Sequence, residues 1–263
     1  MNLPPTVIDP QVMRTGLKRT MTRSQGPLLC ILRLASIRFI RMSGMRMLVS
    51  WEHTIAGPPS PQHYVFPVLV TWLLASTLGR ELTHITLSTA GKATVLGMED
   101  EHNQHQLRWR TDLRQFLAAP EFAQMVAAPK GMITLSYLSL SDAAHEAVAN
   151  LVNLQSMHNI PSEKLAVLVD FSSSLLTLAG RTVGLGARGA YYFDPRLIIR
   201  TLEIIKSKTL QVGITPLPVG HRAVLTMMAN QDGGRVQCAL LSIGMETQRL
   251  YPLPPERLAA MQG

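Results

Sequence analysis

Four basic residues, Arg14, Lys18, Arg19 and Arg23, recur at helical intervals near the start of the chain. A second group follows much later: Arg196 and Arg200 stand about one turn apart, with Lys206 and Lys208 just beyond. Cations spaced along a helix face are suited to the phosphates of a polyanion, because such contacts are strong in sum, sensitive to salt and indifferent to sequence. Projected on a helix, Met13, Leu17 and Met21 make an apolar stripe. Lys18, Arg19 and Arg23 fall off that stripe, and Arg14 sits on its margin. In the later segment Leu197, Ile198, Leu202 and Ile205 face one way, while Arg196, Arg200, Glu203 and Ser207 face the other. The plainer alternative is a solvated face with C-terminal cations favoured by the helix dipole.

Other residue patterns offer other chemistry and carry less weight. Gly184-Leu185-Gly186-Ala187-Arg188-Gly189 fits G-x-G-x-x-G, but a dinucleotide fold needs that last glycine to open a helix. Here Ala190–Phe193 reads as strand and the next helix waits for Pro195, so a turn or bulge is expected and no cofactor is assigned. His102 and His105 lie among Glu99, Asp100 and Glu101, a mixture that can bind a metal. With no further ligands nearby, this stretch reads as a solvated hairpin loop and no metal is expected. Asp170 and Ser172–Ser174 lack a G-x-S-x-G elbow, and small polar residues after a strand make a turn. Cys30 and Cys238 have neither metal nor redox spacing and read as buried free thiols.

These residues need elements to hold them. Hydrophobic residues are 46% of the 263, and charged residues only 16%, a composition that excludes a disordered chain. The net charge of +8 favours nucleic acid as partner before an anionic membrane. The pI of about 9.9 agrees. The residues before Asp9 include two prolines and no apolar core, so no signal peptide is read there. The apolar run Val65–Leu78 is shorter than the roughly 20 residues of a membrane span and reads as a buried or half-buried helix.

The most informative feature is an internal repeat. His63-Tyr64-Val65-Phe66-Pro67 leads into an apolar helix, and Tyr191-Tyr192-Phe193-Asp194-Pro195 does so again. The two phenylalanines are 127 residues apart, as are Leu87 and Ile214 in the strands that follow. Asp9-Pro10 opens a helix through about Arg23, with Asp as N-cap and Pro at the first helical position. Ser141-Asp142 opens another through about Met157. Strands are expected over Leu28–Leu34, Ser36–Met42 and Met45–His53, and over Leu165–Phe171, Leu175–Ala179 and Thr182–Gly186. Each copy then reads α-β-β-β-α-β-β-β, with residues 112–130 as a partly helical connector. The expected domains are 1–130, which includes that connector, and 131–263.

The second copy resembles the last domain of the bacterial DNA polymerase III beta subunit, the sliding clamp. Phe193-Asp194-Pro195-Arg196-Leu197-Ile198 is similar to that family's Phe-Asn-Pro-x-Leu-Leu helix start. Leu250-Tyr251-Pro252-Leu253 is similar to its hydrophobic-Met-Pro-Met ending. The first copy resembles a clamp domain more loosely, through Val65-Phe66-Pro67 and its order of elements. The resemblance implies an α+β DNA clamp fold, with two tandem domains each carrying two helices on antiparallel sheet. It implies helices lining a central hole around double-stranded DNA, and sheets forming the outer wall. Two domains per chain is the arrangement of proliferating-cell nuclear antigen, so a six-domain ring would need a homotrimer.

The expected function is therefore a processivity factor without catalytic activity, cytoplasmic and nucleoid-associated, that tethers a polymerase or other client. Arg14, Lys18, Arg19, Arg23, Arg196, Arg200, Lys206 and Lys208 are the expected DNA contacts, and Tyr251, Pro252 and Leu253 the expected client-peptide contacts. Two alternatives stand beside it: a non-ring basic DNA-binding protein of clamp fold, and a small-molecule enzyme using the Gly184–Gly189 loop. The helix after Pro67 has no Lys or Arg before Arg80, and the one ending near Met157 has none at all, so a lining of four helices would be unevenly basic. Arg33, Arg38, Arg41 and Arg46 lie on strands whose faces the pattern leaves open.

Overall fold

A computed structural model describes residues 5–21, 26–58, 60–77, 82–110, 112–117, 121–172, 175–183, 190–218 and 220–243. The chain begins with a short strand, Thr6–Ile8 (β1), and a helix, Pro10–Thr20 (α1). Four strands follow: Leu28–Arg33 (β2), Ser36–Ser43 (β3), Met47–Thr54 (β4) and Gln62–Phe66 (β5). Helix Val68–Thr77 (α2) precedes strands Leu82–Ala90 (β6), Ala93–Asp100 (β7) and Gln104–Arg110 (β8). Short helices Arg114–Leu117 (α3) and Phe122–Val126 (α4) lead to strand Ile133–Ser136 (β9) and helix Tyr137–His158 (α5). Strands Leu165–Ser172 (β10), Leu175–Thr182 (β11) and Ala190–Phe193 (β12) come next, then helix Pro195–Ile204 (α6). Strands Thr209–Pro216 (β13), Ala223–Gln231 (β14) and Gly234–Leu241 (β15) follow. The architecture is α+β, with antiparallel sheets and packed helices.

The chain divides into two compact units. The first is Met1–Ala127 with Met227–Ala239; the second is Ala128–Thr226 with Leu240–Gly263. In the first unit one sheet runs β1-β6-β7-β8, and a second runs β5-β2-β3-β4 with β15 beside β4. Both faces of the second sheet are dry. Register places Leu28, Cys30, Ile37, Phe39, Val49 and Trp51 on one face. They meet Met13 and Leu17 of α1 in the buried core. Leu29, Ile31, Ile40 and Leu48 point the other way and are buried too. This explains why β2 reads as an unbroken apolar run rather than an alternation. α1 comes close to the sheet because Gly16 lies against the Phe39 ring, where a Cβ has no room.

In the second unit β10 takes β11 on one side and β12 on the other, as β2 takes β3 and β5. β13 pairs with β9 along Thr209–Val212, as β6 pairs with β1. α5 buries Leu140, Ala144, Ala147 and Leu151, a helical stripe that packs on β10 and β11. Gly180 of β11 admits this approach, since a Cβ there would run into the Ala147 carbonyl.

Both basic helices start in the same way. The Asp9 carboxylate accepts the Gln11 N–H at 2.7 Å, the Asp194 carboxylate accepts the Arg196 N–H at 2.9 Å, and each aspartate precedes a proline at the first helical position. Proline pre-sets φ and lacks an N–H that would be orphaned there, while the cap supplies an acceptor the helix end needs. Asp9→Ala is expected to cost about 1 kcal/mol, read as a lower urea midpoint at unchanged m-value.

Several expected boundaries move. α1 stops at Thr20, and Met21 has left helical geometry as the C-cap and is exposed. The buried stripe is therefore Met13, Gly16, Leu17 and Thr20, and the Thr20 hydroxyl enters the core by donating to the Gly16 carbonyl. α5 begins at Tyr137, a turn before Ser141, because β9 runs into it directly. The Tyr137 side chain is anchored by donating to the Leu202 carbonyl at 3.2 Å. Leu175–Thr182 is one strand, longer than the expected Leu175–Ala179, while most of the expected Thr182–Gly186 lies outside the described residues; β5 and β12 are paired strands in their own right. Among the described residues the connector holds the short helices α3 and α4. Cys30 and Cys238 are buried free thiols, and burial pushes both far above the ordinary thiol range. Among the described residues no helix is long and apolar enough to cross a membrane.

Candidate nucleic-acid interface

α1 carries Arg14, Lys18 and Arg19 and no acidic residue. Arg14 and Lys18 are four apart, so they share a side of the helix, and both are exposed. Arg19 faces elsewhere. Its guanidinium is ion-paired with Asp232 in the turn between β14 and β15, and that pairing offsets part of its charge. The turn is a two-residue loop in which Asp232 and Gly233 both have positive φ. Asp-Gly is the dipeptide that favours this turn. Asp232 was not singled out in the sequence, though the dipeptide marks the turn. Arg23 lies outside the described residues.

α6 presents a mixed face. Ile198, Thr201 and Leu202 are buried. Arg196 is the most open of its cations, but its guanidinium folds back on the N-cap, with Nη2 donating to Asp194 at 2.9 Å. That contact raises the Arg196 pKa further and partly screens its charge. Arg200 is half-buried, while Lys206 and Lys208 are exposed past the helix end. The Lys208 carbonyl accepts the Tyr137 N–H at 3.0 Å, which fixes the backbone there. Tyr251, Pro252 and Leu253, like the Gly184–Gly189 loop, lie outside the described residues.

The other two long helices do not suit phosphate. α2 has no charged residue and leaves Leu69 80% and Trp72 58% exposed. It is less buried than its composition predicts, with only Thr71 and Leu74 buried among its described side chains. α5 carries Asp142 and Glu146 and no Lys or Arg. The strand arginines divide. Arg38 and Arg41 are buried, so they add nothing to a basic surface, whereas Arg33 and Arg46 are exposed at hairpin ends. One basic cluster was missed in the sequence: Lys92, Arg108 and Arg110 at one end of the β6-β7-β8 sheet. Its signal was the period-two alternation of Gln104, Gln106, Arg108 and Arg110.

The stretch with His102 and His105 is a tight loop in which the Asp100 carboxylate accepts the N–H groups of His102 and Asn103 at 2.8 and 2.6 Å. Those bonds hold Asp100 below the ordinary carboxylate range. No group of three or more potential metal ligands occurs among the described residues.

No protein-family model matches the sequence, and no curated protein matches it in sequence. Solved structures match it in fold. The DNA polymerase III beta subunit of Thermotoga maritima is similar over 91% of this chain and 65% of its own, at a TM-score of 0.56 and 12% identity. The sliding clamp of Pseudomonas aeruginosa bound to griselimycin is similar over 92% of this chain and 66% of its own, at 0.58 and 10%. The beta subunit from the DNA polymerase of Streptococcus pyogenes gives 92%, 66%, 0.57 and 10%. The chain thus has the sliding-clamp fold and spans about two thirds of the length of those proteins.

Proposed function

We propose that this chain is a sliding clamp-like processivity factor. In this reading it holds or encircles duplex DNA by sequence-independent phosphate contacts and tethers a DNA polymerase or another client. It is not an enzyme. The observation that carries the reading is the clamp fold over more than nine tenths of the chain. The face of α1 supports it, with Arg14 and Lys18 exposed and no acid on the helix. The proposed domains are 1–130 and 131–263, and three copies would supply the six domains of a ring. Lys206 and Lys208 are proposed as further contacts. Arg19 and Arg196, already held by Asp232 and Asp194, are proposed as weaker ones.

Fluorescence anisotropy with a labelled duplex tests this. Affinity should fall steeply as salt rises. Arg14→Glu with Lys18→Glu should weaken binding about tenfold or more and lower the salt slope by about 2, leaving the protein folded. Affinity that ignores salt, or a double variant that binds like the parent, removes the DNA reading. A non-ring DNA-binding protein of clamp fold is the second reading. It is favoured by the apolar α2 and acidic α5 surfaces, which would line a closed hole poorly. Sedimentation at moderate salt separates the two: a trimer supports the ring, and a monomer that binds DNA supports the open form.

A further inference from the structure

Helix α2 is apolar on both sides, although only one side is covered. Thr71 and Leu74 turn inward and are buried. Leu69, Trp72, Leu73 and Ser76, at helical spacing, make the opposite face. Its three large side chains are 80%, 58% and 42% exposed. A helix that is apolar all round is ordinarily buried all round. The tryptophans show the difference. Trp51 packs on Phe39 and Trp109 on Phe66, and each indole N–H donates to a carbonyl. Trp72 has neither kind of partner among the described residues. α1 packs beside α2 and exposes Arg14 and Lys18. Neither helix contains Asp or Glu. Cations and an apolar strip with an open indole therefore come from adjacent helices of the first unit. An intact duplex offers that strip little, because its surface is phosphate, sugar and polar base edges, and its base faces are hidden in the stack. A gap or a single strand opens those faces, which stack on aromatic rings, and keeps the phosphates for the cations.

We propose that the exposed strip of α2 is a binding site for unstacked DNA bases, with Trp72 as the stacking platform and Leu69 and Leu73 beside it. The chain then prefers gapped or single-stranded DNA to intact duplex. The inference rests on the DNA reading and adds the form of DNA that is chosen. The size of the strip fits this occupant. Three side chains on a helix of ten residues cover about one or two bases. A stable protein partner would bury about 800 Å² a side. A second copy meets a further obstacle: a twofold contact over α2 would bring two basic α1 helices toward each other. Charge favours DNA in turn, since phosphates flank every base and Arg14 and Lys18 stand on the neighbouring helix.

The test titrates the full chain against two fluorescein-labelled DNAs of one sequence: an intact duplex, and the same duplex with a gap of about five nucleotides, enough for one binding site. The gapped duplex should bind at least about tenfold tighter. Rising salt should weaken both but preserve their ratio, because stacking is not screened. Trp72→Ala should abolish the preference and leave affinity for the intact duplex as it was. Trp72→Phe, which keeps a ring, should retain most of the preference. A fluorescent base analogue in the gap should be quenched by the parent and not by Trp72→Ala. An intact duplex bound with no preference for the gap, or a preference that survives in Trp72→Ala, overturns the proposal and leaves the DNA reading standing. Failure to bind either DNA removes both. Vesicles of phosphatidylserine and phosphatidylcholine that bind the parent and not Trp72→Ala would overturn the proposal, because a lipid surface would then cover α2. So would a concentration-dependent oligomer broken by Trp72→Ala, with a second copy as the cover.

Discussion

Arg38→Met is expected to cost roughly 3–5 kcal/mol of stability, the range for breaking a buried, bonded charge. Arg38 is 6% exposed, and its guanidinium is held through Nε and Nη2. It donates to the Ser50 hydroxyl at 3.1 Å, the Val126 carbonyl at 3.0 Å and the Gln237 side-chain oxygen at 2.9 Å. Gln237 in turn donates to the Met125 carbonyl at 3.0 Å. Met125 and Val126 end α4, whose last carbonyls have no partner within the helix. Two side chains from the sheet therefore cap a connector helix that has only five residues. Burial pulls the guanidinium down to about 10, so it stays charged at neutral pH, where a cation suits the negative end of a helix. Methionine fills similar volume but leaves acceptors in a dry site, each at about 1–3 kcal/mol. Urea unfolding measures the loss. Amide exchange of Phe122–Ala127 should accelerate more than that of β2 and β3; equal acceleration, or a loss under about 1 kcal/mol, would refute the capping role.

Gly16→Ala is the second large effect, and its sign runs against helix propensity. Alanine within a helix normally stabilises by up to about 1 kcal/mol over glycine. Here the new methyl would meet the Phe39 ring, which is itself fully buried against Trp51. Overpacking of this kind costs about 1–3 kcal/mol and sometimes more, and neither partner has open space to yield. A net loss of about 2 kcal/mol is expected, as a lower melting temperature. Phe39→Leu on its own leaves a gap and destabilises. Combined with Gly16→Ala it should lose less than the sum of the two, with a coupling of at least about 1 kcal/mol. Additive losses would place the strain elsewhere than at this ring.

Much of the fold was legible because local signals agreed with one another. Asp-Pro marked the start of α1 and of α6, and both caps are formed. The offset of 127 residues aligned β6 with β13, and both belong to sheets of matching order. The failures have separate physical causes. Ser136 is the N-cap of α5 but its side chain makes no capping bond, and Ser141-Asp142 reads as the start instead, so the first turn was missed; there Tyr137 is anchored to the Leu202 carbonyl, a tertiary contact. Of the candidate interface, the ion pairing of Arg19 and of Arg196 was not read, because each is decided by one carboxylate. Asp194 lies two residues away and could have been suspected. Asp232 lies 213 residues away and could not. Arg38 and Arg41 looked like surface cations by type, and only strand pairing reveals that both faces of β3 are covered.

The tip of the β14–β15 hairpin, Met227–Ala239, belongs to the first unit although it is encoded near the far end of the chain. During synthesis the first 127 residues therefore leave the ribosome with a piece missing, and Arg38 has no Gln237 to meet. At ordinary elongation rates the gap lasts on the order of ten seconds. In that interval the long side of β4 is an open edge, liable to pair with a neighbouring nascent chain. The amino-terminal half should accordingly be insoluble when expressed by itself, and be rescued when the hairpin is supplied as a separate peptide.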